Sequence, residues 1–202
     1  MDFMLYAMDA IVNQAAKWSH MLGGQANPSV TIRGIINRGG EQGAQHSQAL
    51  HSWFAHVPGL RVVMPSTVLD ARDLLISSVL CDDPVIFIDD RWLYDQEAEL
   101  NPPSERPLSG EKPLITNKGS DITIVGSGHA SFLARKAYDK LTANSICSPE
   151  IIDIRVLNPF NPDAIIESVK KTKNLLVVDS GWISAGFSAE IIASVMEKLP
   201  LN

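Results

Sequence analysis

The sequence has little cysteine and no long hydrophobic run. Its two cysteines, Cys81 and Cys147, lie far apart and match no metal-binding spacing, so neither a disulfide framework nor a cysteine metal site is expected. No apolar stretch approaches the length that spans a bilayer, and no basic segment followed by an apolar one marks a signal peptide. We therefore expect a cytoplasmic protein that does not enter membranes.

Positive charge is also scarce. The 202 residues include 17 lysines and arginines against 23 acidic residues, which gives a net charge of −6 and an isoelectric point near 5.3. A nucleic-acid surface would show a basic stripe, so no nucleic-acid partner is expected. With 45% apolar residues, the chain can form one or two packed domains.

Apolar segments of strand length alternate with helical patterns along the whole chain. This order predicts an α/β fold, with two three-layer α/β/α domains and mainly parallel sheets. We place the first domain at residues 1–98, a proline-rich linker at 99–118 and the second domain at 119–202. The predicted strands are 30–32, 60–64, 85–88, 122–125, 151–154 and 175–178; the predicted helices are 3–22, 47–56, a helix capped by Ser66-Thr67 that runs to Val79, 129–138, 162–169 and 189–199.

Glycines cluster between the first predicted strand and the helix after it. Gly34, Gly39, Gly40 and Gly43 let the backbone approach another group closely and adopt conformations closed to side chains. His46 follows at the predicted loop-to-helix junction, where free helix N–H groups favour an anion or a reacting carbonyl. The same pattern is common in α/β connections, in which such a histidine is only hydrogen-bonded.

A second glycine pair, Gly126 and Gly128, follows the first predicted strand of the second domain. The three-glycine fingerprint of dinucleotide sites is incomplete here, and no acidic residue stands at the expected position on a later strand. We interpret this pair as a tight strand-to-helix turn.

Four motifs together resemble one family. The segments GAQHSQ, WFAHVPGL, RVVMPST and DDPVIFID occur as they do in beta subunits of the thiamine-diphosphate-dependent 2-oxo-acid dehydrogenases for pyruvate or branched-chain substrates, within the transketolase superfamily. The resemblance runs over nearly the whole chain. It implies that the first domain is the C-terminal part of a pyrimidine-binding domain and the second a transketolase C-terminal-like domain. The activity it implies is decarboxylation of a 2-oxo acid with acyl transfer to a lipoyl acceptor.

The resemblance assigns catalysis to His46. In the family the histidine of this motif faces the reactive carbon of the cofactor, and an imidazole suits that role because it exchanges protons near neutral pH. Phe3 corresponds to the aromatic residue that packs on the aminopyrimidine ring, although an ordinary core phenylalanine would give the same pattern. Gly43 and Gln45 complete the expected cofactor-binding set, since Gln45 can orient the histidine.

Three basic residues are candidates for substrate binding. Arg33 and Arg38 flank the glycine loop, and either could hold a carboxylate through two hydrogen bonds, although loop arginines are more often solvated. His56 is the third, and a helix-end histidine can equally satisfy local carbonyls. Ile35, Arg38 and Glu41 are expected at the entrance, so the substrate or acceptor can differ from pyruvate.

The resemblance also implies cofactors and partners. Thiamine diphosphate and magnesium would be held mainly by an alpha-type subunit, and a lipoyl transacylase core would be a further partner. The turn at Trp182 would serve a homodimer interface. A eukaryotic chain of this family would lie in the mitochondrial matrix. A potassium ion would be bound by the backbone carbonyls of Val30, Ser78, Val79, Cys81 and Asp83.

Both ends of the sequence depart from the family. The glutamate that activates thiamine lies upstream of the segment equivalent to Phe3, and the family continues with another strand beyond Leu201-Asn202. We therefore expect a fragment, a split subunit or a shortened gene product that is inactive alone. A transketolase-type ketol transferase acting on sugars and a non-catalytic dimerisation module are the alternatives.

Overall fold

The computed structural model describes residues 1–39 and 42–199, which form two units. The first unit contains Met1–Glu111 and Val156–Pro159, and the second contains Lys112–Arg155 and the chain from Phe160 onward. The predicted α/β class with mainly parallel sheets is confirmed for both units. No helix of the described ranges is long and apolar enough to cross a bilayer.

The predicted strands and helices are present, with bounds that differ by a few residues, and two further strands occur. The strands are β1 (Thr31–Ile36), β2 (Arg61–Val63), β3 (Val85–Asp90), β4 (Leu114–Asn117), β5 (Ile122–Gly126), β6 (Pro149–Asp153), β7 (Val156–Asn158) and β8 (Leu175–Val177). The α-helices are α1 (Ala16–Met21), α2 (His51–Ala55), α3 (Val68–Val79), α4 (His129–Ala143), α5 (Asp163–Thr172) and α6 (Phe187–Lys198). Short 3-10 turns occur at Ala44–His46, Arg91–Leu93 and Leu108–Gly110.

The N-terminal helical segment changes its hydrogen-bonding pattern twice. It runs as a 3-10 helix over Asp2–Ala7, as a π-helix over Asp9–Ala15 and then as α1, where a single amphipathic helix over 3–22 was predicted. The segment buries Ile11 and Ala16, whereas Tyr6 is 92% exposed. Its apolar residues therefore do not form the single buried stripe that a uniform α-helix would give.

The first sheet has the strand order β1-β3-β2-β7. β3 pairs in parallel with β1 and with β2, so the carboxyl ends of these three strands lie at the same edge, and β7 joins β2 in the antiparallel direction. Val63, Val85 and Phe87 are almost fully buried and form a core cluster with Leu74 of α3. β-Branched and aromatic side chains suit such a buried pleated surface.

The start of α3 confirms the predicted cap. The Thr67 hydroxyl accepts a hydrogen bond from the Asp70 N–H at 3.1 Å, which satisfies one of the N–H groups that lack a partner inside the helix. Asp70 itself lies in the first turn, where a carboxylate interacts favourably with the helix dipole. The cap therefore fixes the point at which α3 begins to pack on β3.

The second sheet has the strand order β4-β6-β5-β8. β5 is parallel to both of its neighbours, and β4 lies antiparallel at one edge. On β5, the buried Thr123 hydroxyl lies 2.7 Å from the hydroxyl oxygens of Ser168 and Thr172 on α5. These pairings satisfy polar groups that would otherwise destabilise the interior of the unit.

Two strands were not predicted. β4 lies inside the segment 99–118 that we expected to be a linker, and β7 follows β6 after only two residues. Both are short antiparallel edge strands, so neither shows the apolar run of a central strand. β7 is held in place by Asn158, whose Nδ2 donates to the Leu60 carbonyl at 2.6 Å and the Val57 carbonyl at 3.3 Å.

The buried Glu150 makes the stability of the protein dependent on pH. Burial acts to raise the pKa of this carboxyl, but hydrogen bonds from Lys171, Ser168 and Gly119 together hold the pKa below its ordinary value. Lys171 Nζ lies 2.5 Å from Glu150 Oε2. Because the folded-state pKa is lowered, the contribution to stability is present above the unfolded-state pKa and is lost as pH falls through the folded-state pKa.

We expect Glu150→Gln to lower the free energy of unfolding at pH 7 by about 1 kcal/mol, because the partner Lys171 is half exposed. In acid the variant and the parent should converge. Urea unfolding at neutral and at acid pH measures both values. Glu197→Gln removes an exposed carboxyl of α6 and is the control. Equal losses at both pH values would contradict a role for the charge.

Candidate functional site

A cleft of about 560 Å³ opens at the carboxyl edge of the first sheet. β1 and β3 pair in register from Thr31 with Val85 to Ile36 with Asp90, so the residues that follow the two strands meet at this edge. Open α/β sheets bind ligands at the carboxyl ends of their strands. The cleft is lined by Met1, Asp2, Phe3, Met4, Arg33, Gly34, Ile35, Asn37, His46, Arg91 and Tyr94.

Phe3 and His46 form the aromatic part of the cleft wall. Their ring centroids are 5.1 Å apart, and the rings are tilted by 46°. Phe3 is 56% exposed, so it is not an ordinary core residue. Gln45 Nε2 lies 3.4 Å from His46 Nε2 and is placed to orient the imidazole. The structure thus brings together the residues that the sequence predicted at the cofactor.

The local structure at His46 differs from the prediction. We expected a helix over 47–56 with His46 at its N-terminus, but α2 begins only at His51. His46 instead ends a 3-10 turn, in which its N–H donates to the Gly43 carbonyl at 3.1 Å. Gly43 has a φ of +89°, a conformation that side chains disfavour. The turn shaped by Gly43, and not the N-terminus of a helix, therefore positions the His46 imidazole.

Arg33 is part of a fixed network on the cleft wall. Its Nη2 lies 2.5 Å from Asp89 Oδ2 and 2.9 Å from the Tyr94 hydroxyl, which donates to the same carboxylate oxygen at 3.0 Å. The hydrogen bond to Asp89 raises the pKa of Arg33, and partial burial raises the pKa of Tyr94. The charge of Arg33 is therefore balanced by a carboxylate of its own chain, and the tyrosine hydroxyl stays protonated.

Arg38 fixes the start of the glycine loop. It forms an ion pair with the buried Asp90, and its guanidinium lies 5.1 Å from the centroid of the Trp92 ring. Gly39 has a φ of +83°, and a Cβ at this position would overlap the Trp92 indole. These contacts hold the loop against the 3-10 turn that follows β3.

The remaining predicted residues differ in whether they line the cleft. His56 is exposed at the end of α2, outside the set of residues that line the cleft, and His51 is fully buried. Ile35 lines the cleft, as expected of an entrance residue. Gly40 and Glu41, the remaining predicted loop residues, lie outside the described residues.

Two of the carbonyls predicted to bind potassium, those of Ser78 and Val30, accept hydrogen bonds near the end of α3 and the start of β1. The Ser78 carbonyl accepts hydrogen bonds from the Thr31 hydroxyl at 2.9 Å and from the Cys81 N–H at 3.2 Å. The Val30 carbonyl accepts from the Val85 N–H at 2.8 Å. In the described ranges no three His, Cys, Asp or Glu side chains come close enough to hold a metal, so a potassium ion here would rely on main-chain oxygens.

Four polar residues at the cleft have no role predicted from the sequence: Asn37, Asp89, Arg91 and Tyr94. Arg91 Nη1 donates to Asn37 Oδ1 at 2.7 Å, and Tyr94 joins Asp89 in the Arg33 network. Each of the four lies at, or just beyond, the carboxyl end of β1 or β3. These four residues could have been predicted if β1 and β3 had been recognised as neighbours, because adjacent parallel strands bring the residues that follow them together.

The second unit carries two features that the sequence singled out. A Cβ at Gly126 would lie only 2.9 Å from the Ser131 nitrogen, and Gly128, with a φ of +54°, directly precedes α4. This geometry matches the predicted tight turn. Trp182 and Ile183 are 79% and 81% exposed and form an apolar surface on the turn before α6.

The fold and the cleft define a two-unit α/β protein with a cleft at the carboxyl edge of a parallel sheet. Two family models match the chain: the transketolase pyrimidine-binding domain over residues 1–96 and the transketolase C-terminal domain over residues 111–202. The chain therefore belongs to the transketolase family.

Individual relatives match the chain over nearly its whole length. The chain is 38% identical over 197 residues to a pyruvate dehydrogenase E1 component subunit beta from Rhizobium meliloti, covering 98% of this chain and 43% of the relative. It is 36% identical over 202 residues to the 2-oxoisovalerate dehydrogenase subunit beta of Dictyostelium discoideum, covering 100% of this chain and 55% of the relative. The beta subunit of an acetoin:2,6-dichlorophenolindophenol oxidoreductase from Cupriavidus necator is 39% identical over 197 residues, with 98% and 58% coverage. The chain thus spans about half the length of the curated relatives it matches.

A solved structure shows the same fold. The split-gene transketolase described as an inactive beta4 tetramer superposes with a TM-score of 0.69 at 17% sequence identity. The superposition covers 96% of this chain and 62% of that protein. At this level of identity the likeness shows the fold alone.

The contact of Gly39 with Trp92 can be tested with three glycine variants. Gly39→Ala should lower the free energy of unfolding by about 3 kcal/mol, because it adds steric overlap to an unfavourable φ. Gly43→Ala, with a positive φ but open space around it, should cost about 1 kcal/mol. Gly110→Ala has neither feature and should change little. Urea unfolding gives the three values, and equal losses for Gly39→Ala and Gly43→Ala would rule out the overlap.

Proposed function

We propose that the chain acts as the beta-subunit part of a thiamine-diphosphate-dependent 2-oxo-acid dehydrogenase. The observation that carries this proposal is the cleft in which Phe3 and His46 stand 5.1 Å apart at the carboxyl edge of the first sheet. The names of the relatives support it, since they include subunits of pyruvate and 2-oxoisovalerate dehydrogenases. The reaction is the decarboxylation of a 2-oxo acid, followed by acyl transfer to a lipoyl acceptor.

The lining of the cleft supports binding of one end of the cofactor. A half-exposed phenylalanine ring offers the flat apolar surface that an aminopyrimidine needs. Thiamine diphosphate, when bound, supplies the carbanion chemistry of decarboxylation, and the protein supplies placement and proton transfer. Phe3 would hold the pyrimidine, and the turn shaped by Gly43 would set the position of His46 beside it.

His46 would handle protons at the reacting centre. Its imidazole lines the cleft, and either ring nitrogen can hold or release a proton near neutral pH. Gln45 would fix the ring orientation through the contact to Nε2. The Arg33 network would keep the neighbouring wall of the cleft rigid, because Arg33 Nε, Arg33 Nη2 and the Tyr94 hydroxyl all donate to Asp89 Oδ2.

The proposal includes partners for the rest of the site. An alpha-type subunit would hold the diphosphate and magnesium, and a lipoyl-bearing core would accept the acyl group. The exposed surface at Trp182 and Ile183 would contribute to contacts between two copies, since aromatic and large apolar residues are typical of interface cores. We place the assembly in the cytoplasm, or in the mitochondrial matrix of a eukaryote.

Reconstitution with an alpha-type subunit tests the catalytic assignment. With thiamine diphosphate, magnesium and a 2-oxo acid, His46→Ala should lower kcat about 100-fold while the affinity for the cofactor is kept. Phe3→Ala should instead weaken cofactor binding about tenfold, because it removes the aromatic surface. Calorimetric titration gives the affinities, and steady-state turnover gives kcat.

The controls separate the alternatives. His20→Ala removes an exposed histidine outside the cleft and should leave kcat and cofactor affinity unchanged. Turnover of sugar phosphates in place of 2-oxo acids would favour a transketolase-type activity. No cofactor binding with or without the alpha-type subunit would favour a non-catalytic dimerisation module.

Potassium binding at the end of α3 would stabilise the protein. The carbonyls of Val30, Ser78, Val79, Cys81 and Asp83 are the proposed ligands. At roughly ten times the dissociation constant, a bound ion adds about 1.4 kcal/mol to the free energy of unfolding. We expect the thermal midpoint to rise by about 4 °C in potassium chloride relative to choline chloride at equal ionic strength. Identical midpoints in the two salts would refute the site.

A further inference from the structure

The two aromatic residues of the cleft wall come from segments that are far apart in the sequence. Phe3 lies in the N-terminal 3-10 helix, whereas His46 ends the short 3-10 turn that follows Gly43. Their ring centroids are nevertheless only 5.1 Å apart. Such a separation depends on contacts that join the two segments, because neither segment can fix it alone.

The segment that carries Phe3 is packed against β1 at Gly34. A Cβ at Gly34 would lie 2.7 Å from Met4 Sδ and 3.2 Å from Met1 Cβ, so the missing side chain lets both methionines approach the strand. Met1 is buried, and both methionines line the cleft. Phe3 therefore stands between two residues that are anchored on the first sheet.

Asp2 joins this segment to the chain that follows His46. Its Oδ1 accepts a hydrogen bond from the Gln48 N–H at 3.0 Å. Residues 47–50 form neither a helix nor a strand, so they lack the internal hydrogen bonds of regular structure. The bond to Asp2 therefore supports the part of the chain directly after the imidazole.

The position of Asp2 makes this bond sensitive to the geometry of the cleft. The carboxylate lines the cleft but is only 9% exposed, so its burial costs free energy unless hydrogen bonds compensate it. The bond begins at the residue before Phe3 and ends two residues after His46. A change in its length would therefore move the phenylalanine and imidazole rings relative to each other.

We propose that Asp2 is a positioning residue, whose carboxylate oxygen sets the separation and tilt of Phe3 and His46 through the hydrogen bond from Gln48. This inference rests on the proposed function, in which Phe3 holds the pyrimidine and His46 handles protons beside it. A misplacement of about 1 Å at a reacting group can lower a rate about 100-fold. The role requires an acceptor oxygen and no charge, since an amide oxygen can accept the same bond.

The geometry can be measured in the 202-residue chain without any turnover. The ring current of Phe3 displaces the ring-proton resonances of His46, and their positions in Phe3→Leu define the undisplaced state. Asp2→Ala should move these resonances most of the way to that state and weaken the nuclear Overhauser effect between the two rings. Asp2→Asn keeps an acceptor oxygen and should preserve both observations.

The matched control separates positioning from a general loss of stability. Thr67→Ala removes the cap of α3 and lies outside the residues that line the cleft, so it should leave the His46 resonances unchanged. If Asp2→Ala does not fold, Asp2→Glu replaces it, because the longer side chain displaces the acceptor oxygen. Unchanged resonances in the variant measured, or an equal displacement in Asp2→Asn, would overturn the proposal.

Turnover with the alpha-type subunit shows whether Asp2 acts through His46. At saturating cofactor, Asp2→Ala should lower kcat about tenfold, and Asp2→Asn should keep it within about twofold of the parent. In the His46→Ala background, Asp2→Ala should have little further effect, because no imidazole is left to position. Losses that multiply in the double variant would refute an action through His46.

The two measurements keep the proposed function and this inference apart. If the parent turns over no 2-oxo acid with the alpha-type subunit, the proposed function fails. The His46 resonances of Asp2→Ala and Asp2→Asn then still decide whether Asp2 sets the geometry of the two rings.

Discussion

The parallel pairing of β1 with β3 determines where the polar groups at the carboxyl edge of the first sheet lie. The two strands are hydrogen-bonded in register from Thr31 to Ile36, and both end at the same edge. Asn37 and Arg91, each the first residue beyond its strand, are therefore neighbours although they are far apart in the sequence. A shift of the pairing by one residue would move every side chain of one strand to the opposite face and dismantle the cleft.

Asp89 and Asp90, the last two residues of β3, bind different partners. Successive side chains of a strand point to opposite faces of the sheet, so Asp89 and Asp90 cannot share a partner. Asp89 holds Arg33 and Tyr94 on the cleft wall, whereas the fully buried Asp90 holds Arg38 and the start of the glycine loop. One short acidic sequence thus stabilises both the wall of the site and the loop beside it.

The features that were predictable from the sequence are those with a local signal. The central strands were found within a few residues because valine and isoleucine runs mark them. The GAQHSQ motif pointed to His46, which lines the cleft. The edge strands β4 and β7 lack such runs and were missed. The contact between Arg33 and Asp89 joins residues 56 positions apart, so it depends on strand register and leaves no local pattern. The prediction that a helix begins directly after His46 was wrong. The chain first forms the 3-10 turn that follows Gly43, and α2 begins only at His51.

The first sheet takes its edge strand β7 from a part of the chain that lies between β6 and α5 of the second unit. During synthesis on the ribosome, β2 therefore has an unpaired edge until residue 158 has emerged, long after the rest of the first unit is complete. An open strand edge invites pairing with other chains, which makes this interval the time of greatest risk of aggregation. In a chain divided between the two family domains, β2 would keep this unpaired edge, because β7 lies in the part matched by the C-terminal domain.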